Sequence, residues 1–552
     1  MKTLSTTLLF VLSTFLAFGQ LESKIDSLFA EYNNSPGLAV GVYSKGEILF
    51  KKGYGIANLD YDIKISPETV FDIASVSKQF TAACIVLLEN EGKLSLDDDI
   101  RKYIPEMPEF IEGKITIRNL LHHTSGLRNY LTLMYLSGIS FDDYFTEQMG
   151  LDILARQKEL NFGPGSEYLY SNSGYLTLAI IVRRVSGESI GTFAQKNIFD
   201  PLEMKNTFIY EDGSKVVKNR AIGYSKEGED YKREHHFDFA LGGDGQVYTT
   251  VEDFFKWSEN FKDNTLGNDS FLNKMLTKGI LSNGDSIDYA LGLSHGVYKN
   301  QKTIEHAGAW GGFRAHYLQF PEEDLSVAIF ANRGDANPSG KAYQVADLIL
   351  KDSFIDVKTE DKTLNDNKKK PFIKLSTTEL EKFSGNYWNV TDSYVRKIYV
   401  KNDTLRYYRN ANSESDLMPI SKNKFKMINV GSDVIVKFNN KEKLTMTVIV
   451  NGAKPGIFKE YEPVVYEKEG LAGFEGSYYS KELDLNYSLK LEGDLLILYI
   501  NGSKQSPLEC IMENLFSNDD YGMFQFKNNK EDKISSFRLS AGRVKNLNFE
   551  KK

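Results

Sequence analysis

The pattern Leu-x-x-Phe-x-Gly-x-Tyr occupies Leu380 to Tyr387 and returns at Leu471 to Tyr478, every position displaced by 91 residues. Self-similarity at a fixed offset marks a duplicated structural unit. Each copy is followed by short β segments. Lys397 to Val400 and Leu405 to Tyr408 flank Asn402-Asp403, while Ser488 to Leu491 and Leu495 to Ile500 flank Gly493-Asp494, and both arrangements are hairpin signals. Helical stretches are nearly absent beyond residue 372. The expectation is two all-β, barrel-like (lipocalin-like) domains over 372–463 and 464–552.

The chain of 552 residues is long enough for three to four domains. The duplicated tail leaves a large N-terminal region, set off by the almost wholly polar run VKTEDKTLNDNKKKP, which reads as a linker over 357–371. Residues 20–356 mix the two periodicities. Gly37 to Tyr43 and Ile48 to Tyr54 predict paired strands across Ser44-Lys45-Gly46, and Ser75 to Glu91, stopped by Gly92, predicts a helix. Thr303 to His306, Phe313 to Gln319 and Leu325 to Ala331, joined by short turns, predict antiparallel neighbours, with a helix over Ser339 to Lys351 covering them. The fold class is therefore α/β of the α+β kind, an antiparallel sheet flanked by helices and followed by the two β units.

Several function classes drop out on composition. Lys and Arg number 67 against 75 Asp and Glu, a formal charge of −8, and no basic run is long enough to hold a phosphate backbone, so a nucleic-acid partner is not expected. The two cysteines, Cys84 and Cys510, support no disulfide framework or thiolate metal site. Cys84 lies in the apolar run Ala82 to Val86 and reads as a buried, inert thiol. Leu241 to Gly245 is glycine-rich but lacks a phosphate-loop lysine, so it reads as a turn before the helix near Thr250. The adjacent pairs His122-His123 and His235-His236 lack further ligands at helical or hairpin spacing and do not read as metal sites.

At the N-terminus, Lys2, the apolar stretch Leu8 to Phe18 and the small residues of Ala17-Phe18-Gly19 form an export-signal pattern over 1–19, with cleavage near Gly19-Gln20. No later segment approaches the length of a transmembrane helix. A periplasmic or secreted protein is expected.

Three elements carry chemistry. In Ser75-Val76-Ser77-Lys78, the i, i+3 spacing puts a hydroxyl and an amine on one helical face, where an enclosed lysine loses its proton more easily than in water and can activate the serine. Ser421-x-x-Lys424 matches by chance. In Tyr170-Ser171-Asn172, a phenol is placed to relay a proton and an amide to hold a substrate amide or the lysine. Tyr32-Asn33-Asn34 and Tyr387-Trp388-Asn389 match equally well. In His306-Ala307-Gly308-Ala309, Gly308 would let substrate lie along a strand edge, and the following N–H would pair with that of Ser75 as an oxyanion hole. Arg314 either meets an anionic substrate group or faces solvent.

In this order, Ser-x-x-Lys, Tyr-x-Asn and His-x-Gly, with Leu121-His122-His123-Thr124-Ser125-Gly126-Leu127, Gly163-Pro164-Gly165 and Gly242-Gly243 as flanks, resemble the serine β-lactamase and penicillin-binding protein superfamily over residues 21–354. Tyr170 points to its class C-like branch. The resemblance implies that Ser75 is acylated, that Lys78 and Tyr170 transfer the proton, that Asn172 binds an amide, and that the N–H groups of Ser75 and Ala309 hold the oxyanion. His306 departs from the lysine of many relatives. An imidazole is mostly neutral at pH 7, which weakens a claim to bind a substrate carboxylate. A His-x-Gly motif combined with two rear β-barrels resembles the D-stereospecific aminopeptidase type. The implied activity is acyl transfer on short peptides or amides containing D-amino acids, with no cofactor. Alternatives are a small-acyl esterase, a weak β-lactamase, or a non-catalytic sensor that binds cell-wall fragments.

Overall fold

The structure, a computed structural model, describes residues 19–552 apart from 235–238, 240, 352, 355–371, 390–393, 411–412, 431–432, 441–443 and 451–454. The export-signal pattern, the linker and His235-His236 thus lie outside the described residues, except for Gly19. The chain divides into two compact units. One holds the residues up to Leu131 and those from Ile139 to Asp356, and the other holds Thr132–Gly138 with those from Val357 onward.

The first unit is built on a six-stranded antiparallel sheet formed by β1 (Leu38–Ser44), β2 (Glu47–Tyr54), β3 (Ser294–Tyr298), β4 (Gln301–Trp310), β5 (Phe313–Phe320) and β6 (Leu325–Ala331), in the order β3-β4-β5-β6-β1-β2. Alternation along β1 and β6 explains why both read as near-continuous apolar runs. Leu38, Val40, Val327 and Ile329 face one way and pack on Ala342, Val345 and Ala346 of the helix Pro338–Ile349. Phe330 faces the other way and meets Phe254 of the helix Val251–Asp263 at 5.3 Å between rings. A strand covered on both faces has no polar register.

The hairpin from β4 to β5 closes on Gly311 and Gly312, with φ of 49° and 79° and Trp310 paired to Phe313. This left-handed pair fits the two-residue turn of a twisted hairpin. A side chain at Gly312 would also meet the Tyr224 nitrogen at 2.4 Å.

In the second unit, Gly385–Asn389 to Gly456–Tyr461 and Gly476–Ser480 to Val544–Lys551 each close into an eight-stranded barrel. The sequence repeat has one structural meaning in both. Leu380 and Leu471 are buried from short helices at the barrel entrances. Tyr387 donates its hydroxyl to the Phe383 carbonyl at 2.8 Å, and Tyr478 donates to the Phe474 carbonyl at 2.7 Å. Phe383 and Phe474 reach the aromatic fillings through contacts to Phe438 and Phe526 at 4.7 and 4.9 Å. Asn402 and Asp403 both adopt left-handed backbone, at φ of 54° and 53°, where the hairpin was expected. Among the described residues no helix is long and apolar enough to cross a membrane.

Removing either hydroxyl takes the donor from a half-buried carbonyl at Phe383 or a buried one at Phe474. Tyr387→Phe and Tyr478→Phe are each expected to lower stability by about 1 kcal/mol in chemical denaturation.

Candidate active site

The helix expected from Ser75 is divided in two. Ala74–Ser77 form a 3₁₀ turn, and the α-helix runs over Lys78–Asn90. Ala74 sits at φ 48°, a left-handed conformation disfavoured for an L side chain, so a regular helix cannot extend back through it. The Ala74 N–H donates to Asp72 Oδ1 at 2.7 Å, which pins the turn. Non-glycine residues in such conformations cost on the order of 1–3 kcal/mol and gather at functional sites.

Lys78 is fully buried. Its Nζ donates to Ser75 Oγ at 3.1 Å and to the Asp244 carbonyl at 2.5 Å. The same nitrogen stands 5.0 Å from the Tyr170 ring centroid and 5.5 Å from that of Tyr175. Asn172, at the start of the helix Asn172–Ser186, receives a backbone anchor when its N–H donates to Asn129 Oδ1 at 2.9 Å. Its side-chain Oδ1 is buried and has no hydrogen-bond partner among the described residues. A buried acceptor of that kind in a cleft is suited to a ligand N–H.

His306 and Ala309 lie on β4. Its partner β3 pairs only as far as Glu305, so from His306 to Trp310 the strand is paired with β5 alone and presents an open edge. Ser75, Asn172, Asp244 and Ala309 line one cleft, with Leu131, Phe239 and Trp310 as its apolar wall. Phe239 and Trp310 pack at 5.1 Å between rings.

At Gly308 the packing adds a reason for glycine beside the one its motif suggests. A Cβ there would stand 2.3 Å from the Ile73 carbonyl, so the missing side chain lets β4 lie directly against the serine turn. The His306 ring lies 6.1 Å from that of Tyr170. Its Nδ1–H donates to the Ala307 carbonyl at 2.7 Å, and its Nε2 accepts from Tyr289 Oη at 3.0 Å. Burial, helped by the Lys78 charge, pushes the imidazole down to about 3, so it is neutral. Arg314 is half-buried with Nη1 on the Phe313 carbonyl at 2.7 Å.

The structure thus brings Ser75, Lys78, Tyr170, Asn172, His306, Gly308 and Ala309 into one neighbourhood of the first unit. The accidental motif copies fall elsewhere, Ser421 and Lys424 on a barrel hairpin and Tyr387 in a barrel strand. Three further participants carry no motif signal. Tyr289 is joined to His306, Asp244 supplies a carbonyl to Lys78, and Asp72 holds the serine turn. Cys84 is fully buried with its thiol pushed up by burial.

The profile of the beta-lactamase family matches residues 25–350. The chain belongs to the beta-lactamase family. It is 29% identical over 328 residues to a D-aminopeptidase of Gluconobacter oxydans (strain 621H), across 59% of this chain and 61% of that protein. It is 27% identical over 402 residues to penicillin-binding protein 4* of Bacillus subtilis (strain 168), across 69% of this chain and 85% of the relative. The match therefore spans about three fifths of the D-aminopeptidase's length. Among solved structures, the octameric penicillin-binding protein homologue from Pyrococcus abyssi shares the fold at a TM-score of 0.55 and 24% identity, over 80% of this chain and 99% of that one.

Two outcomes test how this beta-lactamase-family site is held. Gly308→Ala forces the Ile73 carbonyl aside and should slow labelling of the protein by a fluorophosphonate by at least about tenfold, since small displacements of reacting groups cost that much or more. Asp72 has a pH signature. Burial pushes its carboxyl up to about 7 against the pull of the Ala74 N–H, with Asp244 adding to the rise. The folded protein then holds a proton that the unfolded chain has released, so stability falls as pH rises from about 4 to 7 and levels off above. Asp72→Asn should lack that slope, as read from melting midpoints across the same range.

Proposed function

We propose that the protein is a serine hydrolase that forms an acyl-enzyme on Ser75 and acts on amide or ester bonds, its preferred substrates being short peptides or amides carrying a D-amino acid. The observation that carries the proposal is the fully buried side-chain nitrogen of Lys78, 3.1 Å from Ser75 Oγ. A hydroxyl beside a buried amine, on a turn held in a disfavoured backbone conformation, is the arrangement of an activated nucleophile.

Ser75 Oγ attacks the substrate carbonyl carbon, and its proton passes to Lys78 Nζ, in its neutral amine form at that step, with the Tyr170 hydroxyl relaying it toward the leaving group. The carbonyl oxygen gains the negative charge and is held by the N–H groups of Ser75 and Ala309, which sit on two elements packed together at Gly308. When the carbonyl re-forms, the bond to the leaving nitrogen or oxygen breaks, and the pair returns the proton to that atom. Water then adds to the acyl-enzyme by the same route and releases the acid with Ser75 restored. Asn172 Oδ1 receives a substrate N–H.

Substrate choice is supported by what the cleft lacks at its third motif. His306 is neutral and has both ring nitrogens engaged within the protein, so it offers neither charge nor hydrogen to a substrate carboxylate. Substrates without a carboxylate beside the scissile bond fit that environment better than carboxypeptidase substrates or β-lactams. The D-aminopeptidase relative supports the same preference at the level of its name. The export-signal pattern from Lys2 to Gln20 supports action in the periplasm or outside the cell.

A panel of D- and L-amino-acid p-nitroanilides, p-nitrophenyl acyl esters and a chromogenic cephalosporin tests the proposal on purified protein. Cleavage of D-amino-acid anilides above their L-isomers, with the cephalosporin slowest, is expected, and Ser75→Ala should abolish all of it. Cleavage of acyl esters alone would make the protein an esterase. An unlabelled, inactive wild-type protein would leave a binding role.

A further inference from the structure

We propose that His123 is the residue that positions Tyr170 for proton transfer. The proposal rests on the assignment of Tyr170 to that transfer.

His123 is buried and stands in the segment His122 to Tyr130, which is laced to the Tyr-x-Asn segment along its length. Gly165 N–H donates to the Thr124 carbonyl at 2.7 Å, and Ser171 Oγ donates to the Leu127 carbonyl at 3.2 Å. Around Tyr170 itself, both backbone anchors come from one residue. Leu169 N–H donates to the His123 carbonyl at 3.0 Å, and Ser171 N–H donates to His123 Nδ1 at 3.1 Å. The residues immediately before and after Tyr170 are thus fixed to the two ends of His123.

The imidazole then forms a wall for the phenol. Its ring lies 4.1 Å from the Tyr170 ring at 34°, and Tyr289 closes the edge at 6.0 Å and 87°. On the other side, Lys78 Nζ is 5.0 Å from the same ring. A tyrosine hydroxyl is placed by only two side-chain torsions, so flat contacts on the ring fix where its oxygen points. The neighbouring His122 holds Tyr289, with its Nδ1 at 3.2 Å from the Tyr289 carbonyl. Two adjacent histidines therefore hold the phenol and the residue that closes its edge.

The backbone of His123 shows that its place is imposed. Its φ of 57° is left-handed, a conformation that β-substituted residues other than Asn, Asp and His rarely take. Nδ1 must also remain unprotonated to accept from Ser171, which assigns the ring hydrogen to Nε2.

Kinetics with p-nitrophenyl butyrate test the assignment. His123→Ala removes both the acceptor and the wall and should lower kcat about 100-fold with KM changed less than about threefold. His123→Asn keeps an acceptor at the position of Nδ1 and tolerates the left-handed backbone, and should recover at least about tenfold of that loss. In the Tyr170→Phe background the effect of His123→Ala should shrink to about twofold or less, because one function cannot be lost twice. A loss that multiplies unchanged into the Tyr170→Phe background overturns the proposal, as does His123→Asn remaining as slow as His123→Ala at equal melting midpoint. If His123→Ala does not fold, the same cycle is run with His123→Asn, whose smaller loss must likewise vanish beside Tyr170→Phe. A fully active Tyr170→Phe would overturn the proton-transfer role of Tyr170, and this proposal with it.

Discussion

Lys78 opens a helix that is otherwise buried on nearly every side, and its amine is removed from water completely. An amine in that position is tolerable only where oxygen atoms and ring faces replace its hydration. Ser75 Oγ and the Asp244 carbonyl supply the oxygens, and Tyr170 and Tyr175 supply the rings. Much of the first unit can be understood as holding these groups around one nitrogen. The Ala74 turn brings the serine back over the helix start, the loop after Gly243 presents the Asp244 carbonyl, and the helix from Asn172 carries Tyr175 into the core.

The neutral His306 follows from the same burial. A second cation beside Lys78 would add repulsion in a region with little water to screen it. Instead the imidazole donates to its own strand and accepts from Tyr289. His306 is thereby tied to its own strand and to Tyr289, and Leu131, Phe239 and Trp310 form an apolar wall of the cleft beside the serine.

Chemistry confined to a turn of helix or a hairpin was legible in the sequence. Ser75 and Lys78 are one helical turn apart, Asn402-Asp403 can hardly be anything but a tight turn, and the repeated Tyr of the barrels announced itself by its fixed offset. Contacts that depend on the fold left no such trace. Asp244 meets Lys78 from 166 positions away through a backbone carbonyl, which any residue type could provide. Tyr289 sits in a stretch without a motif. Gly308 was visible as a glycine, but its reason, the Ile73 carbonyl on another element, required the packed structure. The break between the 3₁₀ turn and the helix was hidden because helical periodicity does not report a single left-handed alanine.

Acylation of Ser75 with Lys78 as its buried partner is tested most directly by peptide mapping with mass spectrometry after brief exposure to a fluorophosphonate, on wild-type protein and on Lys78→Met, which keeps the bulk of the side chain without its amine. The adduct is expected on the peptide containing Ser75 in the wild type, with labelling at least about a hundredfold slower in Lys78→Met and the fold intact. An adduct on another residue, or labelling of Ser75 at the wild-type rate without the amine, would contradict it.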